Sequence, residues 1–481
     1  MRLILFLSLL VTQIFAQTYE EYLRSQEQAF SSFKEARDKE FSEFLNKEWK
    51  AYKEAQGESA YEEKKPQVIP EAPKKKLIVK KKKEAIKKVV VKPALVKKKV
   101  QKVYDKIVIT PESQDMKTLY TKFFGVDLEV HYDKSILISM EREITKDGVA
   151  STWDTLAGSE YETTIKELKT ISKKLRLNGW ANYLLVKQVS SSIYTNENEA
   201  KVFSWFALLK MGYDAHLSYQ RNRVVLLLPV EGNLYNTVYY TLKNKKYYAI
   251  DYYNKGKIGS VTTYDNTYEG ANASIDFSIT DLPLLAEHKK EKHLVFRVND
   301  KNRAVNLSYN INILNFFQSY PQVSYENYFS SPESLLLENS IKTSFEPLLR
   351  GKSQQEALDL ILNFVQNAFA YQVDDTQFNS EKVMFPSETL YYPYSDCEDR
   401  AILFSYMVKT LLDMDVVGLK YLNHMATAVW IEQKVQGEYI KVGNRRYIVA
   451  DPTYINAGIG MSMPQFKGSS SYIIVSTGGE K

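Results

Sequence analysis

The chain has 481 residues, a net charge of +6 and one cysteine, which excludes an internal disulfide as a source of stability. The 379 residues after residue 102 are enough for two or more domains, which must be stabilised by their hydrophobic cores. The charge is unevenly distributed: sixteen lysines and only two acids lie in residues 64–102, so the rest of the chain is net negative.

The N-terminal stretch MRLILFLSLLVTQIFAQ combines one cation with a short apolar run. This pattern predicts a secretory signal peptide at residues 1–16, cleaved after Ala16. The run is too short to span a bilayer comfortably, although an uncleaved anchor is the alternative, and no later segment approaches transmembrane length. We therefore expect a secreted or periplasmic protein.

Aromatic residues recur with a period of eleven between Tyr19 and Tyr52. Eleven residues over three turns place them on one face of a helix, so we predict an amphipathic helix over residues 17–57. The stripe needs a partner, and we expect self-association through residues 19–52 or docking on the body of the protein. A lipid surface is disfavoured because the polar face is mixed in charge.

Residues 58–103 combine prolines with dense positive charge, which predicts a disordered linker. The linker is either a solvated spacer or an electrostatic tether to an anionic surface polymer or lipid. Nucleic acid is not expected as a partner, because no aromatic residues are interleaved among the lysines to stack on bases.

The rest of the chain predicts an α+β protein. We predict a β-rich segment at residues 104–164, a first domain at 165–275, a β-rich connecting segment at 276–344 and a second domain at 345–481. Within the second domain, Ser353 and Glu356 form a predicted capping box that opens a helix. A Gly443-Asn444 turn predicts a hairpin nearer the C-terminus.

Three residues of the second domain can form one reactive site. Cys397 lies at the start of an apolar helix, His424 at the start of an apolar strand, and Asp451 at the end of the next strand. The N-terminus of a helix favours the thiolate form of a cysteine. A thiol nucleophile needs an imidazole to take its proton, and the imidazole needs a carboxylate to orient it. The alternative is a buried, inert cysteine.

The motifs SDCEDRA and NHMATAV, followed by a strand ending in DPTY, resemble the transglutaminase-like superfamily over residues 345–460. The resemblance implies a papain-like fold with a Cys-His-Asp triad. It assigns Cys397 as the nucleophile, His424 as the general base and acid, and Asp451 as the orienting carboxylate.

The resemblance also implies a supporting, structural role for Asp399, which follows the cysteine by two residues. One departure from the family pattern is Ser395, where the family usually has glycine. The backbone N–H of Cys397 would contribute to an oxyanion hole, and Gln372 and Tyr392 are candidates for its side-chain donor.

Residues 165–275 are predicted to be a degenerate copy of the same domain. Aligned at a shift of 200 or 201 residues, Asn196 stands at the position of the thiol, Arg223 at that of the imidazole and Asp251 at that of the carboxylate. Because an amide and a guanidinium cannot replace a thiol and an imidazole, this copy is predicted to serve packing or substrate docking. Chance similarity between two helix–strand units is the alternative.

These features predict an exported, cysteine-dependent amide-bond enzyme, either a peptidase or amidase or an acyl transferase, which works through a thioester acyl-enzyme. Protein or peptide substrates fit, including cell-wall peptides. No cofactor or metal is expected, and His216, His288 and His293 are expected at the surface because they lack metal-ligand spacing. The alternative is a non-catalytic surface-anchoring or scaffold protein that uses transglutaminase-like domains for binding.

Overall fold

The computed structural model describes residues 19–73, 103–109, 116–252, 255–298, 301–433, 435–469 and 472–474. The predicted signal peptide and the most lysine-rich part of the predicted linker lie outside these residues. Helices and sheets are both present, so the predicted α+β class is confirmed.

The secondary structure elements are numbered in chain order. The helices are α1 (Tyr19–Leu45), α2 (Lys146–Ala157), α3 (Glu162–Leu175), α4 (Gly179–Ile193), α5 (Glu197–Met211), α6 (Ile311–Gln318), α7 (Tyr325–Ser330), α8 (Leu335–Leu349), α9 (Gln354–Asn367), α10 (Asp374–Gln377), α11 (Pro386–Tyr391) and α12 (Cys397–Leu412). The strands are β1 (Lys50–Tyr52), β2 (Lys106–Ile107), β3 (Lys117–Phe123), β4 (Val126–Tyr132), β5 (His216–Gln220), β6 (Arg223–Leu227), β7 (Tyr239–Leu242), β8 (Lys245–Tyr248), β9 (Val261–Thr263), β10 (Lys289–Val298), β11 (Lys301–Asn310), β12 (Ala370–Tyr371), β13 (Tyr394–Ser395), β14 (Val416–Lys420), β15 (Met425–Trp430), β16 (Tyr439–Val442), β17 (Arg445–Ala450) and β18 (Tyr472–Ile474). Across the described ranges, no helix has the length and apolar character needed to cross a bilayer.

A five-stranded antiparallel sheet organises the C-terminal part of the chain, with strand order β16–β17–β15–β14–β18. The apolar helix α12 packs against β14 and β15, and α9 packs against α12. Gly443, which has a positive φ, and Asn444 join β16 to β17, as the sequence predicts. Because β15 and β17 are antiparallel, the residue before β15 and the residue after β17 lie at the same end of the sheet.

The middle of the chain repeats this arrangement. Its sheet has the order β1–β9–β5–β6, and paired main-chain hydrogen bonds between Leu228 and Tyr248 attach the β7–β8 hairpin beside β6. The order β7–β8–β6–β5–β9 therefore matches the order β16–β17–β15–β14–β18, and α5 precedes β5 as α12 precedes β14. The connectivity that a duplication requires is present in both parts, while a papain-like fold for each part stays a prediction.

Two segments that the sequence predicts as β-rich also contain helices. In residues 104–164, strands β2 to β4 are followed by α2, which has Thr145 as its N-cap. In residues 276–344, the β10–β11 hairpin is followed by α6, α7 and α8. Strand β11 ends at Asn310, whose side chain accepts a hydrogen bond from the backbone N–H of Asn312 and so starts α6.

The predicted N-terminal helix is shorter than expected and docks on the body of the protein. It ends at Leu45, and residues 50–52 form β1, which pairs with β9. The ring of Phe41 lies 4.7 Å from that of Trp153 in α2 and 5.3 Å from that of Tyr268. The C-terminal end of the aromatic stripe therefore docks on the body of the protein, which is one of the two expected arrangements. Self-association through the stripe stays a prediction.

The prediction of a disordered linker is wrong for residues 58–73, which we call the strap. Ala60, Tyr61, Lys65 and Ala72 of the strap are buried. Packing against the C-terminal domain gives this segment the buried contacts that a free, charged linker lacks.

The expectation of surface histidines holds for His288, which is exposed, but is wrong for His216. The His216 ring is buried, stacks on the ring of Tyr264 and places Nδ1 3.2 Å from the Tyr264 carbonyl oxygen. It fills the core of the first domain.

Substitutions in α1 should separate the docked end of the stripe from the free end. Phe41 is 6% exposed, whereas Phe30 is 64% exposed. We expect Phe41→Ala to lower the free energy of unfolding by about 3–5 kcal/mol, because it leaves a cavity among aromatic rings. The matched control Phe30→Ala should change it by no more than about 0.5 kcal/mol. Urea denaturation measures both values, and equal effects would contradict the docked arrangement.

Candidate active site

His424 and Asp451 form a buried hydrogen-bonded pair at one end of the C-terminal sheet. His424 immediately precedes β15 and Asp451 immediately follows β17, which brings their side chains together. His424 Nε2 lies 3.0 Å from Asp451 Oδ2, and both side chains are almost wholly buried. The other ring nitrogen, Nδ1, is buried and has no hydrogen-bond partner among the described residues. The carboxylate thus orients the imidazole and leaves Nδ1 available to exchange a proton.

The Asp451 carboxylate is held in place by the turn that follows β17. Its Oδ1 accepts hydrogen bonds from the backbone N–H groups of Thr453 (3.0 Å) and Tyr454 (3.2 Å). Gln366 of α9 donates from Nε2 to the carbonyl oxygens of Asp451, Tyr454 and Ala457 at 2.8–3.1 Å. These contacts fix the turn, so the carboxylate can determine the orientation of the His424 ring.

Cys397 is the first residue of α12, and its side chain is fully buried. The thiol donates a hydrogen bond to Glu398 Oε2 at 3.1 Å, and its Sγ lies 3.9 Å from Tyr61 Oη in the strap. α12 packs on β15, and Cys397 shares a buried cluster with Met425, the residue after His424. The structure pairs the imidazole with the carboxylate but shows no hydrogen bond between the thiol and His424 Nδ1.

The surroundings of Cys397 favour the thiol rather than the thiolate. Burial raises the pKa of the Cys397 thiol well above its ordinary value, and the negative charges of Glu398 and Asp396 raise it further. The expectation that the helix N-terminus favours the thiolate is therefore wrong for this arrangement, because burial and two adjacent acids outweigh the helix dipole.

An ammonium group from the strap neutralises a buried cluster of acids beside Cys397. Lys65 Nζ forms ion pairs with Asp374 (3.2 Å), Glu381 (2.6 Å), Asp396 and Glu398 (2.6 Å). Although burial opposes its charge, these carboxylates hold the pKa of Lys65 well above its ordinary value. Three of the carboxylates are close enough to share a metal ion, but each of the three is already paired with Lys65.

The four acids of the cluster differ in how they respond to this environment. Burial opposes the charge of Glu398, but Lys65 and neighbouring hydrogen-bond donors lower its pKa to about 2. Burial raises the pKa of Asp374 and of Asp396 well above their ordinary range, and it raises the pKa of Glu381 to about 7. Glu398 therefore carries the fixed negative charge, and the other three hold protons more tightly than exposed acids do.

Asp399 has the structural contacts that a supporting residue needs. Its Oδ1 accepts a hydrogen bond from the backbone N–H of Met384 at 2.8 Å, and its Oδ2 accepts one from that of Asp396 at 3.3 Å. Asp399 thus ties the start of α12 to the loop that precedes it. Ser395, the departure from the family pattern, accepts a hydrogen bond from Arg400 Nε at 3.0 Å.

The two candidates for a side-chain oxyanion donor differ in their contacts. The Tyr392 hydroxyl accepts a hydrogen bond from Gln318 Nε2 at 2.9 Å. Gln372 is half-buried, and its backbone N–H lies 3.4 Å from the Ser395 carbonyl oxygen. Neither contact assigns an oxyanion role, and both candidates remain predictions.

In the first domain, the corresponding positions are engaged in other contacts. The Asn196 side chain caps α5 by accepting a hydrogen bond from the Asn198 N–H at 2.9 Å. Arg223 donates a hydrogen bond to Gln220 Oε1 at 2.9 Å. Asp251 accepts a hydrogen bond from the Tyr183 hydroxyl at 2.5 Å and forms an ion pair with Lys187.

Sequence reasoning missed the residues of the strap and the residue that holds the Asp451 turn. Tyr61 and Lys65 fall within the predicted linker, although the dense lysine runs begin only at Lys74. That change in lysine density is a signal for a boundary near residue 73. Gln366 lies within a regular amphipathic helix and carries no such signal.

No protein-family model matches this chain, and no match was found among curated proteins or solved structures. The resemblance to the transglutaminase-like superfamily therefore stays a prediction based on the motifs.

A buried acid anchors the loop before Cys397 and makes stability depend on pH. Glu333 Oε1 accepts a hydrogen bond from the Ser387 N–H in α11 at 2.8 Å, and burial raises the pKa of Glu333 from 4.5 to about 8. The folded protein holds this proton more tightly than the unfolded chain does. Its stabilising contribution is therefore complete below pH 4.5 and is lost as the pH rises through about 8.

Glu333→Gln keeps an acceptor for Ser387 and cannot ionise. We expect the variant to gain stability relative to the wild type as the pH rises through this range, by about 1.4 kcal/mol for each pKa unit of the shift. Urea denaturation at a series of pH values measures the difference. Glu326→Gln, at an exposed position, is the control. A constant difference between Glu333→Gln and wild type would show that Glu333 does not titrate in this way.

Proposed function

We propose that this protein is an exported, cysteine-dependent amide-bond enzyme in which Cys397, His424 and Asp451 act together. The observation that carries the proposal is the buried pair of His424 Nε2 and Asp451 Oδ2 at 3.0 Å, with Nδ1 left without a partner. This is the arrangement that a general base needs, because the carboxylate fixes the tautomer and stabilises the imidazolium. The single cysteine of the chain is the first residue of α12, and α12 packs on β15, the strand that follows His424. This arrangement supports the same catalytic proposal.

In the proposed reaction, His424 Nδ1 takes the proton of the Cys397 thiol, and Sγ forms a bond with the carbonyl carbon of the substrate amide. The imidazolium then gives its proton to the leaving amine as the C–N bond breaks, which leaves a thioester on Cys397. Water, activated by His424, attacks the thioester and releases the carboxylic acid and the thiol. An acyl transferase would use an amine in place of water, and the three residues are compatible with either outcome.

Protein or peptide substrates fit this proposal, because the thiol lies next to a segment of polypeptide, the strap. Export is proposed from the N-terminal pattern of residues 1–16.

A non-catalytic binding or scaffold role is the second candidate. The observation that favours it is the fully buried thiol with a raised pKa, since a reactive cysteine is usually at least partly accessible.

Trapping the acyl-enzyme tests the catalytic proposal. We expect peptide-library substrates to form a thioester adduct on Cys397, seen by intact mass spectrometry, and Cys397→Ala to form none. His424→Ala should slow formation of the adduct by about 10²–10⁴-fold, because the thiol loses its proton acceptor. His288→Ala, at an exposed histidine, is the matched control and should react as the wild type does.

Because the strap covers Cys397, the reaction is run on the intact chain and on the variant Ala72→Pro. This variant removes the N–H group that Ala72 donates to the Ile455 carbonyl oxygen. If no adduct forms in either background, or if His424→Ala leaves the rate unchanged, the catalytic proposal is wrong.

A further inference from the structure

The strap, residues 58–73, touches each of the three segments that carry the proposed catalytic residues. Its partners lie just before His424, in the segment that leads to Cys397, and just after Asp451. The contacts are Glu63 N–H to the Leu422 carbonyl (3.4 Å), the Tyr371 hydroxyl to the Pro66 carbonyl (2.8 Å) and Ala72 N–H to the Ile455 carbonyl (2.8 Å). The strap therefore crosses the site and is hydrogen-bonded to all three of these segments.

Tyr61 covers the nucleophile directly. Its hydroxyl oxygen lies 3.9 Å from Cys397 Sγ and donates a hydrogen bond to Glu398 Oε2 at 3.1 Å. Its ring packs near that of Tyr325, with centroids 6.1 Å apart, and both residues are buried. A substrate carbonyl must come within about 3–3.5 Å of the sulfur in order to react. Cys397 is 0% exposed in this arrangement, in which Tyr61 contacts the sulfur, so a substrate carbonyl cannot reach it without a rearrangement.

Lys65 fastens the strap over the site. It pairs with three buried acids and with the partly exposed Glu381, and all four acids belong to the C-terminal domain. Removing one partner from a buried ionic group is strongly destabilising, because the remaining charges are left without compensation. The strap therefore cannot lift away unless these acids gain water, protons or another cation.

We propose that the strap is a built-in inhibitory segment: it holds the site of Cys397 closed, and the thiol reacts only after the strap is displaced. This proposal concerns the regulation of the proposed catalytic site, so it rests on the proposed enzymatic function. Closure of the thiol can nevertheless be measured whether or not the protein is an enzyme.

The rate at which iodoacetamide alkylates Cys397 in the full chain tests the closure. The chain has one cysteine, so the mass increase reports this thiol alone. Lys65→Met removes the ammonium group, and we expect it to raise the alkylation rate about a hundredfold or more. Ala72→Pro removes one main-chain hydrogen bond at the far end of the strap and should raise the rate about fivefold. Lys64→Met, one residue from Lys65 but exposed, is the matched control and should leave the rate unchanged.

Far-UV circular dichroism and urea denaturation verify that each variant is folded, and Ala72→Pro serves as the test if Lys65→Met does not fold. The proposal is overturned if folded variants react at the wild-type rate. It is also overturned if the native wild type reacts as fast as the urea-unfolded chain. Faster alkylation without any acyl-enzyme would support closure and refute the catalytic proposal. Acyl-enzyme formation in the wild type at the same rate as in the strap variants would support the catalytic proposal and refute closure.

Discussion

The charge balance around Lys65 is the constraint on which the candidate site depends. Four carboxylates in the interior of a protein cannot all be ionised without compensation, because burial strongly disfavours isolated charges. Lys65 supplies one positive charge that is held by all four, and burial makes Asp374, Asp396 and Glu381 hold their protons more tightly than exposed acids do. The same interaction fixes the strap and places Tyr61 over the buried Cys397 thiol.

The middle and the C-terminal part of the chain share a strand order, so a comparison of the two separates residues that the fold requires from residues that it does not. Both have a buried helix that precedes a sheet with the same strand order, yet the first part has neither a thiol nor an imidazole at the corresponding positions. A carboxylate follows the corresponding strand in both, directly after β17 and in a turn after β8, with a different partner in each. Asp251 is neutralised by Lys187, whereas Asp451 orients His424. The fold therefore does not require the histidine or the cysteine, which supports a chemical role for both.

Local sequence signals predict the parts of the site that lie on regular elements. The apolar runs of α12, β15 and β17 locate Cys397, His424 and Asp451 at element ends, and the structure confirms that His424 meets Asp451. The strap could not be predicted in the same way, because a proline- and lysine-containing segment is normally solvated. Burial of Lys65 depends on acids more than 300 positions away in the chain, and no periodicity encodes such a contact.

The sign of the thiol pKa shift is a further consequence of long-range packing. A helix N-terminus alone favours the thiolate, and this is all that the sequence around Cys397 indicates. The covering strap removes the water that would stabilise a thiolate, and the adjacent acids oppose a second negative charge. Displacement of the strap would hydrate the thiol and the acids together and would take Lys65 away from them. Under the proposed closure, exposure of the Cys397 thiol and creation of a negatively charged cleft would therefore be one event, which ties the accessibility of Cys397 to the electrostatics of its surroundings.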